Sequence, residues 1–112
     1  IVGTGQAMPG EAGAVFRQVG QSVTAMLDAA LLVRMAVPAT LELVEVAAGR
    51  MGGFWQYSQV RAGLVGPALL IREAGGMVTD SQGAPWTLAS ADFLAAAPGV
   101  HAAMIAALSP IS

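Results

Sequence analysis

The chain has 112 residues and does not begin with methionine, which fits one small domain or a piece of a larger protein. Charged residues make up only 11% of it and hydrophobic residues 55%, so we expect an apolar surface that a protein partner covers. A net charge of −2 with no lysine argues against nucleic-acid binding, and no uninterrupted apolar run is long enough to cross a membrane.

Five short apolar segments predict strands, and four helical patterns alternate with them. The predicted strands are 1–4, 31–36, 51–55, 77–79 and 92–96. The predicted helices cover about 11–30, 38–48, 67–73 and 99–108. Pro67 suits the first position of the third helix, where a missing N–H costs nothing, and the Gly75-Gly76 pair ends that helix.

The alternation of strands and helices indicates an α/β protein with a mostly parallel five-stranded sheet and helices on both faces. Residues 51–80 fit a β-α-β unit with a short crossover. No repeat, linker or low-complexity tract interrupts the chain, so we expect residues 1–112 to form one unit. The absence of cysteine excludes disulfides and favours a reducing compartment, so we expect a cytoplasmic protein.

Several segments carry a family resemblance. Residues 72–76 read Arg-Glu-Ala-Gly-Gly, a strand then leads to Thr79-Asp80, and Gly83-Ala84-Pro85 forms a turn. Together with residues 46–56 this resembles the carboxy-terminal half of the inositol monophosphatase family, which are magnesium-dependent sugar phosphatases. The resemblance implies a layered αβαβα fold of which this chain is a fragment. It also implies partnership with a missing amino-terminal half, a homodimer, and a small phosphorylated or polyhydroxylated ligand.

The resemblance also assigns positions in the substrate site, although most of them depart from the family's residues. These positions are Gln6, Val37, Pro38, Ala39 and Gln56. The segment that is Gly-Thr-Ala in the family is Val-Pro-Ala here, so a hydroxyl and a backbone N–H donor are lost. The acid that contacts a sugar hydroxyl in the family is replaced by Gln56, which can still donate and accept hydrogen bonds.

The resemblance places one metal ligand in this half, the aspartate of a Trp-Asp pair, and that position is Gly63 here. Glycine has no side chain to ligate a metal, and the seven acids of the chain show no spacing that suggests a magnesium site. The family's other metal ligands belong to the amino-terminal half. We therefore expect no catalytic residue and no metal ligand in this chain, and we regard magnesium binding as doubtful.

Three functions remain open at this point. The first is a divergent family member, a candidate pseudoenzyme, whose cleft binds a small ligand while metal-dependent hydrolysis is impaired or repurposed. The alternative is an active magnesium-dependent sugar or inositol phosphatase when joined to its amino-terminal half. The third is a free-standing α/β module, which the low charge argues against.

Four further positions carry expectations about packing. Trp55 lies next to Gln56 and faces the other way by strand alternation, so it is expected in the core. Trp86, after the turn, is also expected to pack. Asp80 is expected to cap its turn through backbone N–H groups. His101 is expected on the exposed face of the last helix.

Overall fold

A computed structural model describes residues 1–4, 10, 13–29, 32–35, 46–49, 52–57 and 64–111. Within these ranges the chain forms five strands and three helices. The strands are β1 (Val2–Thr4), β2 (Val33–Met35), β3 (Gly53–Gln56), β4 (Met77–Thr79) and β5 (Phe93–Ala96). The helices are α1 (Gly13–Asp28), α2 (Val65–Glu73) and α3 (Pro98–Leu108). The α/β class is confirmed.

The sheet is mixed, with the strand order β2-β1-β3-β5-β4. The β1–β2 and β1–β3 pairs are parallel, whereas β5 runs antiparallel to both of its neighbours, β3 and β4. Four strands run in the same direction, but only half of the pairs of neighbouring strands are parallel. The prediction of a mostly parallel sheet is therefore wrong, and the sheet is mixed. In the β-α-β unit, β3 and β4 do run the same way, but β5 lies between them.

Helices cover both faces of the sheet, as predicted. Neighbouring residues of each strand point to opposite faces, so each strand contributes side chains to both helical layers. Phe54 packs with α2 residues on one face, in a cluster that includes Trp86 and Phe93. Trp55 packs on the other face with residues of α1 and α3, including Met26 and Met104. The core positions of Trp55 and Trp86 are therefore confirmed.

The glycines predict where helices end correctly, whereas the proline does not predict where α2 begins. Gly49 and Gly75 have φ angles of +78° and +90°, a conformation that glycine adopts without strain, and each follows a helical segment as predicted. Val65 begins α2, two residues before Pro67, so the predicted start is wrong. Proline is tolerated there because the N–H groups of a first helical turn have no intrahelical partner. Most of the predicted helix 38–48 lies outside the described residues.

Of the helices that the structure describes, none has the combination of length and apolar character needed to span a bilayer.

Candidate functional site

Three parallel strands end together at one edge of the sheet. The register pairs Thr4 with Met35 on one side and with Trp55 on the other, so β1, β2 and β3 end side by side. The Thr4 hydroxyl donates a 2.8 Å hydrogen bond to the carbonyl oxygen of Trp55 and fixes the end of β1 to that of β3. We call this the carboxyl edge. Ligand sites in α/β sheets lie at such edges.

One of the predicted site residues, Gln56, is described, and it lies at the carboxyl edge. Gln56 is the last residue of β3 and is only 6% exposed. The remaining predicted positions lie outside the described residues: Gln6, Val37, Pro38, Ala39 and Gly63. In the sequence, Gln6 comes two residues after the end of β1, and Val37 comes two residues after the end of β2.

An aromatic pair that the sequence analysis did not assign to the site lies beside Gln56. Phe93 is directly opposite Gln56 in the antiparallel register, so the two side chains share one face of the sheet. The ring of Trp86 meets that of Phe93 edge to face, with centroids 5.1 Å apart. Leu64, the residue after Gly63, belongs to the same cluster. The described residues packed beside Gln56 are therefore buried and apolar, and only the turn before Trp86 signals them in the sequence.

His101 is buried rather than exposed, so that prediction is wrong. Its Nε2 atom lies 2.8 Å from the Thr79 hydroxyl at the end of β4. The same hydroxyl donates to the Asp80 carbonyl oxygen at 2.8 Å, and which group donates in the contact between Thr79 and His101 depends on the tautomer of the imidazole. Burial lowers the pKa of His101 below its usual 6.5. A neutral histidine thus joins α3 to β4.

The turn after β4 is fixed by two carboxylates. Asp80 Oδ1 accepts hydrogen bonds from the backbone N–H groups of Gln82 at 2.9 Å and Ala84 at 3.0 Å, which confirms its predicted role. Asp92 is buried, and its Oδ1 accepts from the Ser81 N–H at 2.7 Å while its Oδ2 accepts from the Ser81 hydroxyl. These hydrogen bonds give both carboxylates structural partners and hold the loop against the start of β5.

Magnesium does not fit the part of the chain that the structure describes. In that part no three or more histidine, aspartate or glutamate side chains come together to hold a metal. Gln56, the described residue of the candidate site, is a neutral amide, whereas magnesium is bound in proteins mainly by carboxylates and water.

A small cleft of about 130 Å³ lies at the opposite edge of the sheet. It is lined by Gly49, Gly75 and Gly76 together with aliphatic residues and Pro98, near the start of β4 and the end of β5. The described residues of its lining include no charged side chain, and it is separated from Gln56 by the length of β3. It does not belong to the candidate site.

The mixed sheet, its two helical layers and the carboxyl edge define a layered α/β protein. The sequence profile of the inositol monophosphatase family matches residues 10–112. The chain belongs to the inositol monophosphatase family.

Relatives and solved structures agree with this assignment. The chain is 45% identical over 73 residues to inositol-1-monophosphatase ImpA of Mycolicibacterium smegmatis, an alignment that covers 65% of this chain and 26% of the relative. It is 41% identical over 71 residues to the putative Nus factor SuhB of Neisseria meningitidis, covering 63% and 27%. The structure of extragenic suppressor protein suhB from Bartonella henselae superposes with a TM-score of 0.79 at 27% identity, covering 96% of this chain and 40% of that one.

The chain spans about a quarter of the length of these curated relatives and about two fifths of the solved structure. The activity, ligands and partners of a whole family protein are therefore proposals for this chain.

Proposed function

We propose that this chain is the carboxy-terminal part of a divergent inositol monophosphatase-like protein. Its cleft at the carboxyl edge binds a small phosphorylated or polyhydroxylated molecule, and metal-dependent phosphomonoester hydrolysis is impaired or repurposed. The observation that carries the proposal is the glycine at position 63, where the resemblance expects a metal-ligating aspartate.

The loss of this carboxylate bears directly on catalysis. In metal-dependent phosphatases the ions generate the nucleophilic water and stabilise the leaving oxygen. Removing one carboxylate removes negative charge that holds the ions. Gly63 offers only backbone groups in its place. The proposal therefore expects weak magnesium binding and little turnover.

The residues around the cleft support a less polar ligand site. Val37 and Pro38 stand where the family has glycine and threonine, so a hydroxyl and an N–H donor are missing. Gln56 remains at the end of β3 and can donate to and accept from a ligand hydroxyl. Phe93 lies opposite Gln56 in the strand pair, and Trp86 contacts Phe93 edge to face, so the neighbours of Gln56 are apolar. A neutral, partly apolar site suits recognition of a ligand better than the binding of two metal ions.

The alternative is an active magnesium-dependent sugar or inositol phosphatase, complete when joined to the amino-terminal half of the fold. It needs a substitute ligand for the missing carboxylate. The relatives are compatible with either function, since one is an inositol-1-monophosphatase and another a putative Nus factor. In both cases the partner is the amino-terminal half of the fold. A homodimer and a cytoplasmic location are further parts of the proposal.

The test is to restore the carboxylate in the full-length source protein. Gly63→Asp is compared with Gly63→Asn, which has nearly the same shape but no charge. Magnesium affinity is measured by titration calorimetry, and phosphate release is measured from a panel of sugar and inositol phosphates. We expect Gly63→Asp to bind magnesium at least about tenfold more tightly than both the wild type and Gly63→Asn. Tight magnesium binding by the wild type, unchanged in Gly63→Asp, would instead support the alternative.

A further inference from the structure

The end of β3 is held by a series of buried hydrogen bonds that reaches from α1 to the carboxyl edge. Trp55 is 1% exposed, and its indole Nε1 donates at 2.8 Å to the hydroxyl oxygen of Ser22, which is fully buried on α1. The Ser22 hydroxyl in turn donates to the Val19 carbonyl oxygen at 2.8 Å. Because an indole N–H can only donate, Ser22 accepts from Trp55, and the direction of both hydrogen bonds is fixed.

Ser22 is the one polar residue on the buried side of α1. The other buried residues of this helix are Val15, Val19 and Met26, all of them apolar. Alanine would fill nearly the same volume at this position and favours helix more strongly than serine does. A buried indole N–H without an acceptor is costly, so the donor of Trp55 accounts for the serine. The hydrogen bond therefore serves Trp55 rather than α1.

The backbone of Trp55 is fixed by the last residue of β1. Thr4 is 1% exposed, and its hydroxyl donates to the Trp55 carbonyl oxygen at 2.8 Å. That oxygen belongs to the planar peptide bond that joins Trp55 to Gln56. Holding the oxygen therefore fixes the plane from which the backbone of Gln56 continues.

We propose that Ser22 and Thr4 are positioning residues of the ligand site and act on Gln56 through Trp55. This inference rests on the proposed function, which places the ligand at the carboxyl edge. Gln56 presents its side chain to the sheet face opposite the Trp55 ring, so the effect passes through the backbone of β3. A side chain held in one orientation before binding loses less conformational entropy when it contacts a ligand hydroxyl.

The experiment uses matched hydroxyl variants of the full-length source protein. Thr4→Val has nearly the shape of threonine but no hydroxyl, whereas Thr4→Ser keeps the hydroxyl. Ser22→Ala removes the acceptor of the indole N–H. Leu108→Val is the control, because Leu108 packs in the same apolar cluster as Trp55 and its shortening lowers stability without removing either hydrogen bond.

The first measurement is NMR relaxation of the side-chain amide of Gln56, in ¹⁵N-glutamine-labelled protein without ligand. Gln56→Glu identifies the signal, because that variant lacks it. We expect the order parameter of this amide to fall by at least about a quarter in Thr4→Val and Ser22→Ala, and to keep its wild-type value in Thr4→Ser and Leu108→Val. An unchanged amide in Thr4→Val and Ser22→Ala would overturn the proposal. An equal fall in Leu108→Val would also overturn it, because lower stability alone would then loosen Gln56.

The second measurement is the binding of inositol 1-phosphate and of myo-inositol, by calorimetry with a chelator present. We expect Thr4→Val and Ser22→Ala to bind about threefold to tenfold more weakly than the wild type, and Thr4→Ser and Leu108→Val to bind as the wild type does. Equal affinity in all four variants would overturn the proposal. The relaxation measurement contains no ligand, so it decides the positioning of Gln56 even where the wild type binds neither probe and the proposed function fails.

Discussion

At the residue scale, the contact between His101 and Thr79 is the clearest case in which one protonation state supports the fold. The Nε2 atom of His101 lies 2.8 Å from the Thr79 hydroxyl, and burial of the ring favours its neutral form. Protonating the ring places a charge among the core residues Met104 and Leu108 on the same helix. Stability should therefore depend on pH through this residue.

Burial keeps the folded-state pKa of His101 below the 6.5 of the unfolded chain. The stabilising contribution of the neutral ring is therefore complete above pH 6.5 and is lost as the pH falls through the folded-state pKa. We expect the urea midpoint of the full-length protein to fall between about pH 7.5 and pH 5, and to fall less in His101→Gln, which does not titrate. Identical pH profiles for the two proteins would contradict this assignment.

Trp86 allows a second test at this scale. Its indole N–H is buried and has no hydrogen-bond partner among the residues that the structure describes, and an unsatisfied buried donor costs about 1–3 kcal/mol. Trp86→Phe removes the donor and keeps an edge-to-face contact with Phe93, so the free energy of unfolding should change by less than about 1 kcal/mol. Trp86→Ala should cost about 3–5 kcal/mol. A large cost for Trp86→Phe, measured by urea denaturation, would show that the N–H has a partner in solution.

At the scale of elements, the sequence predicts local structure well and pairing poorly. Strand β4 has the predicted bounds and β5 differs by one residue, because glycines, prolines and turn residues set those ends locally. The insertion of β5 between β3 and β4 depends on contacts between residues distant in sequence, which alternation of strands and helices does not encode. His101 was misplaced because α3 is apolar or small all round, so its sequence does not distinguish a buried face.

The candidate site shows the same difference between what local sequence predicts and what depends on strand pairing. Family motifs identified Gln56, and the register then placed it opposite Phe93 at the carboxyl edge. The contribution of Phe93 and Trp86 could not be predicted, because it arises from the antiparallel pairing and from an edge-to-face contact across the loop. Gln6, Val37 and Gly63 lie outside the described residues, so their roles stay predictions.

Two glycines, one after a helix and one inside a helix, give a prediction at this scale. Replacing each by alanine should change the free energy of unfolding in opposite directions. A Cβ on Gly76 would lie 2.6 Å from Ile71 Cγ2 and 3.1 Å from the Ile71 carbonyl oxygen, so Gly76→Ala should destabilise by about 1–3 kcal/mol. Gly20, inside α1, has no atom near an added Cβ, so Gly20→Ala should stabilise by about 0.5–1 kcal/mol. Thermal unfolding of both variants measures the difference. A stabilising Gly76→Ala would contradict the close packing of α2 against the start of β4.

At the scale of the whole molecule, the chain supplies a strand edge and an apolar helix face, and both suit a larger assembly. Val65, Leu69 and Leu70 on α2 are large apolar residues that are exposed, and no acidic cluster that could hold a metal occurs among the described residues. Charged residues make up only 11% of the chain, which is low for a globular domain. The family assignment fixes the fold, whereas the chemistry depends on whether Gly63 has a substitute.

The most direct measurement is magnesium-dependent phosphate release by the full-length wild-type protein, with its intact mass determined on the same sample. The substrates are a panel of sugar and inositol phosphates, with and without a chelator. We expect ligand binding by calorimetry but phosphate release close to the protein-free rate, because Gly63 provides no carboxylate for the metal. Rapid release that the chelator abolishes would contradict the account and establish the wild-type protein as an active magnesium-dependent phosphatase.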